Sequence, residues 1–171
     1  MKPLRTETAF HTPWFELVAK TMREGEPPFY SLKLPDYAAI VALTDERKVL
    51  TVRQYRPALE RYTLELPSGL VDGGEQPAES AARELLEETG YRAESVEVLG
   101  PMYPDNGRLG NRIWNCFAED VVTAGVEPEA GIEVQAYDIA ELLQMTAEGT
   151  FDHSLHVAAL LLAQMRGKLW T

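Results

Sequence analysis

The stretch from Gly69 to Tyr91, GLVDGGEQPAESAARELLEETGY, constrains this chain more than any other part of it. A glycine-rich loop runs into a segment that predicts a short helix. Gln76-Pro77 marks its start, because proline is tolerated at a first helical position. Gly90 marks its end, where a left-handed residue is wanted. At about 100° per residue, Ala78, Ala81, Ala82, Leu85, Leu86 and Thr89 share one side. Glu84, Glu87 and Glu88 gather on the other. Like charges at i,i+3 and i,i+4 cost an isolated helix about 0.2–0.5 kcal/mol per pair. Arg83 relieves one of these by pairing with Glu87 at i,i+4. The remaining oxygens converge as a hard divalent cation requires, Mg²⁺ or Mn²⁺. For a generic acidic helix the competing reading is a solvated charged face.

The spacing decides between them. Gly69, five residues, Glu75, seven residues, and then Arg83-Glu84-Leu85-Leu86-Glu87-Glu88-Thr89-Gly90 resembles the signature box of the Nudix family. Every charged and glycine position of that signature is matched. The departure is its last position, usually aliphatic and here Tyr91. The resemblance implies a Mg²⁺- or Mn²⁺-dependent hydrolase of a nucleoside diphosphate linked to another moiety. It makes Glu84 and Glu88 the main metal ligands and Glu87 a third. It makes Arg83 a partner that orients a box glutamate within the catalytic set.

Upstream of the box, Arg53-Gln54-Tyr55-Arg56-Pro57 and Leu64-Glu65-Leu66-Pro67-Ser68 are similar to segments of the ADP-ribose and nucleotide-sugar pyrophosphatase branch. This similarity implies that Arg56 contacts a substrate phosphate and that the Ser68 carbonyl helps hold metal. It places Glu65 beside metal-bound water. Arginine suits such a role because its fork is planar and permanently charged. Arg53 and Arg108 are further substrate-binding candidates, with Arg112 as an alternative to Arg108; surface pairing or solvation is the competing reading for each. Pro104 falls near a proline that this branch often carries in a Ser-Pro-Gly-like loop, but Asp105-Asn106-Gly107-Arg108 follows it here. The acidic loop Val126 to Gly131 is expected to supply the base that activates water: Glu129, with Glu127 and Glu133 as alternatives. His153 and His156 are expected not to bind metal.

The rest of the chain bounds the fold. Its 171 residues allow one domain with a sizeable core. Tyr37 to Leu43 and Val49 to Tyr55 predict a buried hairpin around the polar turn Asp45 to Lys48. Ser95–Met102, Asn111–Asp120 and Ile132–Tyr137 predict further strands. Helices are expected from Asp138 to Glu148 and from His153 to Arg166, the latter with Leu155, Ala158, Ala159, Leu162 and Met165 facing the core. No βαβ alternation appears, so a parallel Rossmann sheet is disfavoured. The expectation is α/β (α+β): a mixed sheet sandwiched between helices, with an N-terminal β-hairpin or small sheet in which Phe10 to Lys20 forms one strand. Residues 1–35 resemble, more weakly, a dimerisation and substrate segment; 36–171 is the hydrolase domain. Trp14 on the first segment is a candidate shelf for a base.

Composition excludes some partners. Sixteen Lys+Arg against 27 Asp+Glu, net −11, argues against nucleic acid or an anionic membrane surface. A phosphate substrate is still allowed, since a bound metal reverses the local sign. The single cysteine, Cys116, permits no intrachain disulfide and fits a cytoplasmic setting. No signal peptide or membrane-spanning run is evident. The expected partners are a nucleoside diphosphate-linked small molecule and a second copy of the chain in a homodimer. Alternatives are a Nudix hydrolase of nucleoside triphosphates or dinucleoside polyphosphates, and a non-catalytic nucleotide-sensing module.

Overall fold

The computed structural model describes residues 2–169. Among these described residues, two sheets and three helices form. The smaller sheet is antiparallel and comprises β1 (Arg5–His11), β2 (Glu16–Thr21) and β3 (Phe29–Lys33) in that order. The single strand expected over Phe10–Lys20 is thus two strands. Thr12 and Pro13 break it: the Thr12 hydroxyl accepts the N–H groups of Trp14 at 3.1 Å and Phe15 at 3.0 Å, and Pro13 has no N–H to give a ladder. Every residue of β1 is exposed, so this strand has solvent on both faces of the single chain.

The larger sheet is mixed. Its backbone order is β11 (Glu133–Tyr137), β5 (Val49–Arg56), β4 (Tyr37–Thr44), β10 (Ile113–Thr123) and β8 (Tyr91–Arg92). β6 (Arg61–Glu65) pairs with β5, β7 (Ser68–Leu70) with β4 and β9 (Glu97–Met102) with β10. Only β4 and β10 run parallel; the other pairings are antiparallel.

Strand β4 explains the layers. Its side chains alternate faces, as a period of two requires. Ala38, Ile40 and Ala42 pack with Ala81 and Leu85 of α1 (Pro77–Thr89). Val41 and Leu43 pack on the other face with Leu142 of α2 (Ile139–Glu148), Phe151, and Ala159, Leu160 and Ala163 of α3 (Ser154–Met165). A strand buried on both faces reads as a continuous apolar run, which is what YAAIVAL is. The expected sandwich of a mixed sheet between helices is therefore present.

Helix α3 is rotated from its expected face. His156, Ala159, Leu160 and Ala163 are its buried residues, while Met165 is 77% exposed. The segment is apolar around most of its circumference, so periodicity could not single out the stripe that packs.

Helix α1 begins and ends where its sequence signals fall. The Gln76 N–H donates to Glu79 at 2.8 Å, and Gly90 closes the helix at φ 72°. The acidic loop after β10 crosses this end. Ala124 N–H donates to the Gly90 carbonyl at 2.8 Å, and Glu129 N–H to the Glu87 carbonyl at 2.8 Å. A Cβ on Gly90 would lie 2.3 Å from the Val126 carbonyl oxygen. Both the backbone angle and the space therefore demand glycine here. Gly90→Ala is expected to destabilise the fold by about 1–3 kcal/mol. Urea unfolding measures this, and an unchanged midpoint would show that the crossing loop yields without cost.

Candidate active site

The site forms where β7 lies against α1. A Cβ on Gly69 would sit 2.0 Å from Glu84 Oε1, so only glycine lets the strand come this close to the carboxylate. Next to it, Ser68 N–H donates to Glu88 Oε2 at 2.8 Å. The Leu70 carbonyl accepts from Ser80 Oγ at 2.9 Å and from Arg83 Nη2 at 3.0 Å. Ser68 and Leu70 are thus fastened to one face of the helix, with Gly69 in close approach between them.

Arg83 organises the acidic groups. Its Nε and Nη2 donate to Glu75 at 3.0 and 3.1 Å, and its Nη1 to Glu84 at 2.8 Å and Glu87 at 3.0 Å. The expected i,i+4 pair with Glu87 is present, but it is one contact of several. The hydrogen bond to Glu75 leads the causes that raise the arginine's own pKa.

Glu84 and Glu88 do not form the outward face that helical periodicity assigned them. Glu88 is only 6% exposed, because β7 covers that side of the helix. Burial pushes the Glu84 carboxyl up from its ordinary value. Burial, with Glu84 and Glu65 nearby, pushes Glu88 up to about 7. Two carboxylates whose charged forms burial disfavours, beside a glycine that leaves room for their oxygens, form a cradle that fits a hard divalent cation. Glu84, Glu88 and the Ser68 backbone would supply its oxygen donors; Glu87 lies at its edge, exposed and shared with Arg83.

A cavity of about 410 Å³ opens beside the cradle and includes Ser68 and Gly69 in its wall. Arg56 and Glu65 also line it, joined by two parallel hydrogen bonds of 2.7 Å. Glu65 is 1% exposed and takes a third bond, from Thr63 Oγ1 at 2.6 Å. Burial alone would raise its pKa, but the bonds from Arg56 and Thr63 bring it down to about 2. Glu65 Oε1 and Oε2 thus both hold Arg56. The pair leaves Arg56 Nη1 and one N–H of Nη2 for a ligand.

Glu65, His153 and His156 offer ligand atoms within 4.8 Å of one another, the grouping that a second metal would need. The hydrogen bonds of His156 and Glu65 oppose it. His156 Nδ1 accepts the Leu66 N–H at 3.0 Å, which puts the ring proton on Nε2, and both Glu65 oxygens already serve Arg56.

Other sequence-predicted residues stand apart from this cavity in the single chain. Arg53 pairs with Glu133 at 2.9 Å and lies over the Tyr62 ring at 4.2 Å. Three positions before Arg56 on β5, it points to the opposite face. The same pair occupies Glu133, one of the alternative bases. Arg108 lies over Phe29 at 4.7 Å and donates to the Gly107 carbonyl. Its neighbours Pro104 and Leu109 reach the cavity wall instead. Arg112 pairs with Asp36 and stacks on Trp114 at 4.8 Å. Trp14, 73% exposed, lines a separate cleft of about 340 Å³ on the N-terminal sheet. Glu129 is exposed, on the loop fastened to the Glu87 carbonyl. Sequence reasoning missed Thr63 and His156. Thr63 was accessible in principle, two residues before Glu65 and so on its side of β6; a lone histidine in an apolar helix gave no comparable signal.

A mixed sheet between helices, with a loop–helix carboxylate cradle opening onto an arginine-walled cavity, is a Nudix architecture. Residues 33–159 match the NUDIX domain family. The chain belongs to the Nudix family. It is 33% identical to an ADP-ribose pyrophosphatase of Bacillus subtilis over 68% of this chain and 61% of the relative. It is 32% identical to a methanol dehydrogenase activator of Bacillus methanolicus over 79% of this chain and 75% of that one. A solved structure of an ADP compounds hydrolase superposes with a TM-score of 0.78 at 25% identity, covering 99% of this chain and 98% of its own.

The Arg56–Glu65 pair has a pH signature. With its pKa below the unfolded value of 4.5, Glu65 contributes stability that is present above pH 4.5 and lost as pH falls toward 2. In Arg56→Met, burial dominates and the Glu65 pKa rises above the unfolded value. That variant's stability then falls as pH rises above 4.5. Arg56 is 40% exposed, so solvent screening limits the loss to about 2 kcal/mol at pH 8, with less at pH 5. Urea midpoints of both proteins at the two pH values measure it, and equal losses would place the pair's contribution elsewhere.

Proposed function

We propose that this Nudix protein hydrolyses the pyrophosphate bond of ADP-ribose or a related nucleoside diphosphate sugar, using Mg²⁺ or Mn²⁺. The observation that carries this reading is that Ser68 and Gly69, which lie against the Glu84 and Glu88 carboxylates, line the same cavity as Arg56. The ADP-ribose pyrophosphatase and ADP compounds hydrolase relatives favour the same substrate class.

Glu84, Glu88 and the Ser68 carbonyl would hold the cation, with Glu87 at the edge. When bound, it neutralises the pyrophosphate and makes phosphorus more electrophilic. Arg56 holds a phosphate through the N–H groups that Glu65 leaves free. Glu65 and Thr63 fix the guanidinium, so the arginine is oriented before substrate arrives. Glu129 accepts the proton of the attacking water; what supports this is that its loop is fastened to α1 by the bond to the Glu87 carbonyl. Water adds to one phosphorus, the bridging oxygen leaves with the other, and the products are a nucleoside monophosphate and a sugar phosphate.

The test is turnover, with Mg²⁺, of ADP-ribose, ADP-glucose, GDP-mannose, UDP-glucose and nucleoside triphosphates. Hydrolysis of triphosphates alone would sink the nucleoside diphosphate sugar reading. Glu84→Gln and Glu88→Gln are each expected to lower kcat by at least about 100-fold with the fold intact, since they remove ligand charge but little volume. Wild-type rates for both at saturating Mg²⁺ would remove them from the site.

We further propose a homodimer that pairs the N-terminal segments, with Trp14 stacking on the base held by the partner. The supporting observation is the apolar surface of that small sheet: Leu4, Phe10, Trp14, Phe29 and Tyr30 are all exposed in the single chain. Leaving such area in water costs about 25 cal/mol per Å². Light scattering at micromolar concentration tests this, and a mass near 19.1 kDa would refute the dimer. In the dimer, Trp14→Ala is expected to raise KM more than it lowers kcat, because stacking of a remote base is largely uniform binding.

A further inference from the structure

Helix α3 sends one polar side chain into the wall of the substrate cavity. His156 is only 2% exposed, yet it lines the cavity together with Arg56, Glu65, Ser68 and Gly69. Its ring is clamped. Nδ1 accepts the Leu66 N–H at 3.0 Å, and the His153 ring stacks on it at 3.9 Å, 15° from parallel.

The clamp fixes the chemistry of the ring. An Nδ1 that accepts an N–H cannot carry a proton, so the imidazole is neutral and its hydrogen sits on Nε2. Burial and the neighbouring His153 push the pKa down to about 3, in agreement with that geometry. With Nδ1 taken by the backbone, Nε2–H is the ring's one remaining polar group. The ring is thus a donor and cannot act there as an acceptor. Neutrality also matters to its neighbours. A charged ring would compete with Arg56 for Glu65, whereas a neutral one leaves both hydrogen bonds of that pair intact.

We propose that His156 donates its Nε2–H to a non-bridging oxygen of the substrate's diphosphate, as a neutral second donor alongside Arg56. A preoriented donor in a water-poor wall is worth more than one that must be ordered on binding. The Leu66 bond gives His156 that preorientation at a point two residues from Ser68. The proposal rests on the pyrophosphate reading of the cavity but not on which nucleoside diphosphate is cleaved.

The test uses the full chain with Mg²⁺ and methylenediphosphonate, a diphosphate that carries no base or sugar and resists hydrolysis. In ¹⁵N-histidine-labelled protein, the His156 resonances should report a neutral ring protonated at Nε2. Adding the diphosphonate should move that proton downfield. An Nδ1-protonated ring, or an Nε2–H that does not move while the ligand binds, overturns the proposal. His156→Asn supplies the second arm. Its Oδ1 can still accept the Leu66 N–H, but the Nε2 donor is gone. Calorimetry should show diphosphonate affinity weakened about tenfold, as expected for a lost hydrogen bond to a charged group; an affinity within twofold of wild type overturns the proposal. Should the variant fail to fold by circular dichroism, the resonance measurement on the wild-type protein decides. Failure to turn over any nucleoside diphosphate sugar of the panel, beside intact diphosphonate binding, would refute the substrate assignment and leave His156's role standing.

Discussion

The close approach of β7 to helix α1 is the contact on which the site depends. Gly69 leaves no Cβ where Glu84 needs its oxygens, and Ser68 and Leu70 on either side bond to Glu88 and Arg83. Removing the side chain at one position therefore creates an oxygen-lined cradle between a strand and a helix. Arg83 keeps the cradle assembled by spreading one positive charge over Glu75, Glu84 and Glu87. Without it, the like charges would repel along the helix at spacings of three and four residues.

The second constraint is the buried pair of Glu65 and Arg56. A buried carboxylate is costly unless its charge is met, and here two parallel bonds and the Thr63 hydroxyl meet it. The arginine is held on one edge and available on the other. Its fixed geometry is the physical basis for reading it as a phosphate contact rather than as a surface ion pair. The bond from Leu66 N–H to His156 ties the same short segment to α3. Helices from both layers thus converge on Leu66, Pro67 and Ser68: α1 through Glu88 and α3 through His156.

The fold layers were legible because β4 is an unbroken apolar run whose alternate residues face two helical layers. The ends of α1 were legible because proline and glycine act locally. The turn at Thr12–Pro13 was missed because aromatic and β-branched residues on both sides carried the strand pattern across it. The packed face of α3 was missed because a nearly all-apolar helix has no distinct stripe.

For the site, the sequence alone established which residue types belong together. The resemblance to the Nudix box singled out Gly69, Glu75, Arg83, Glu84, Glu87 and Glu88, and helical geometry converts spacing into proximity for the last four, which lie on α1. Only the tertiary structure decided what those groups experience. It buried Glu88 under β7, turned Arg53 away to Glu133, gave Glu65 to Arg56 and brought His156 in from a helix some ninety residues along the chain. Burial and long-range hydrogen bonds depend on how elements pack, and no local pattern in the chain records that.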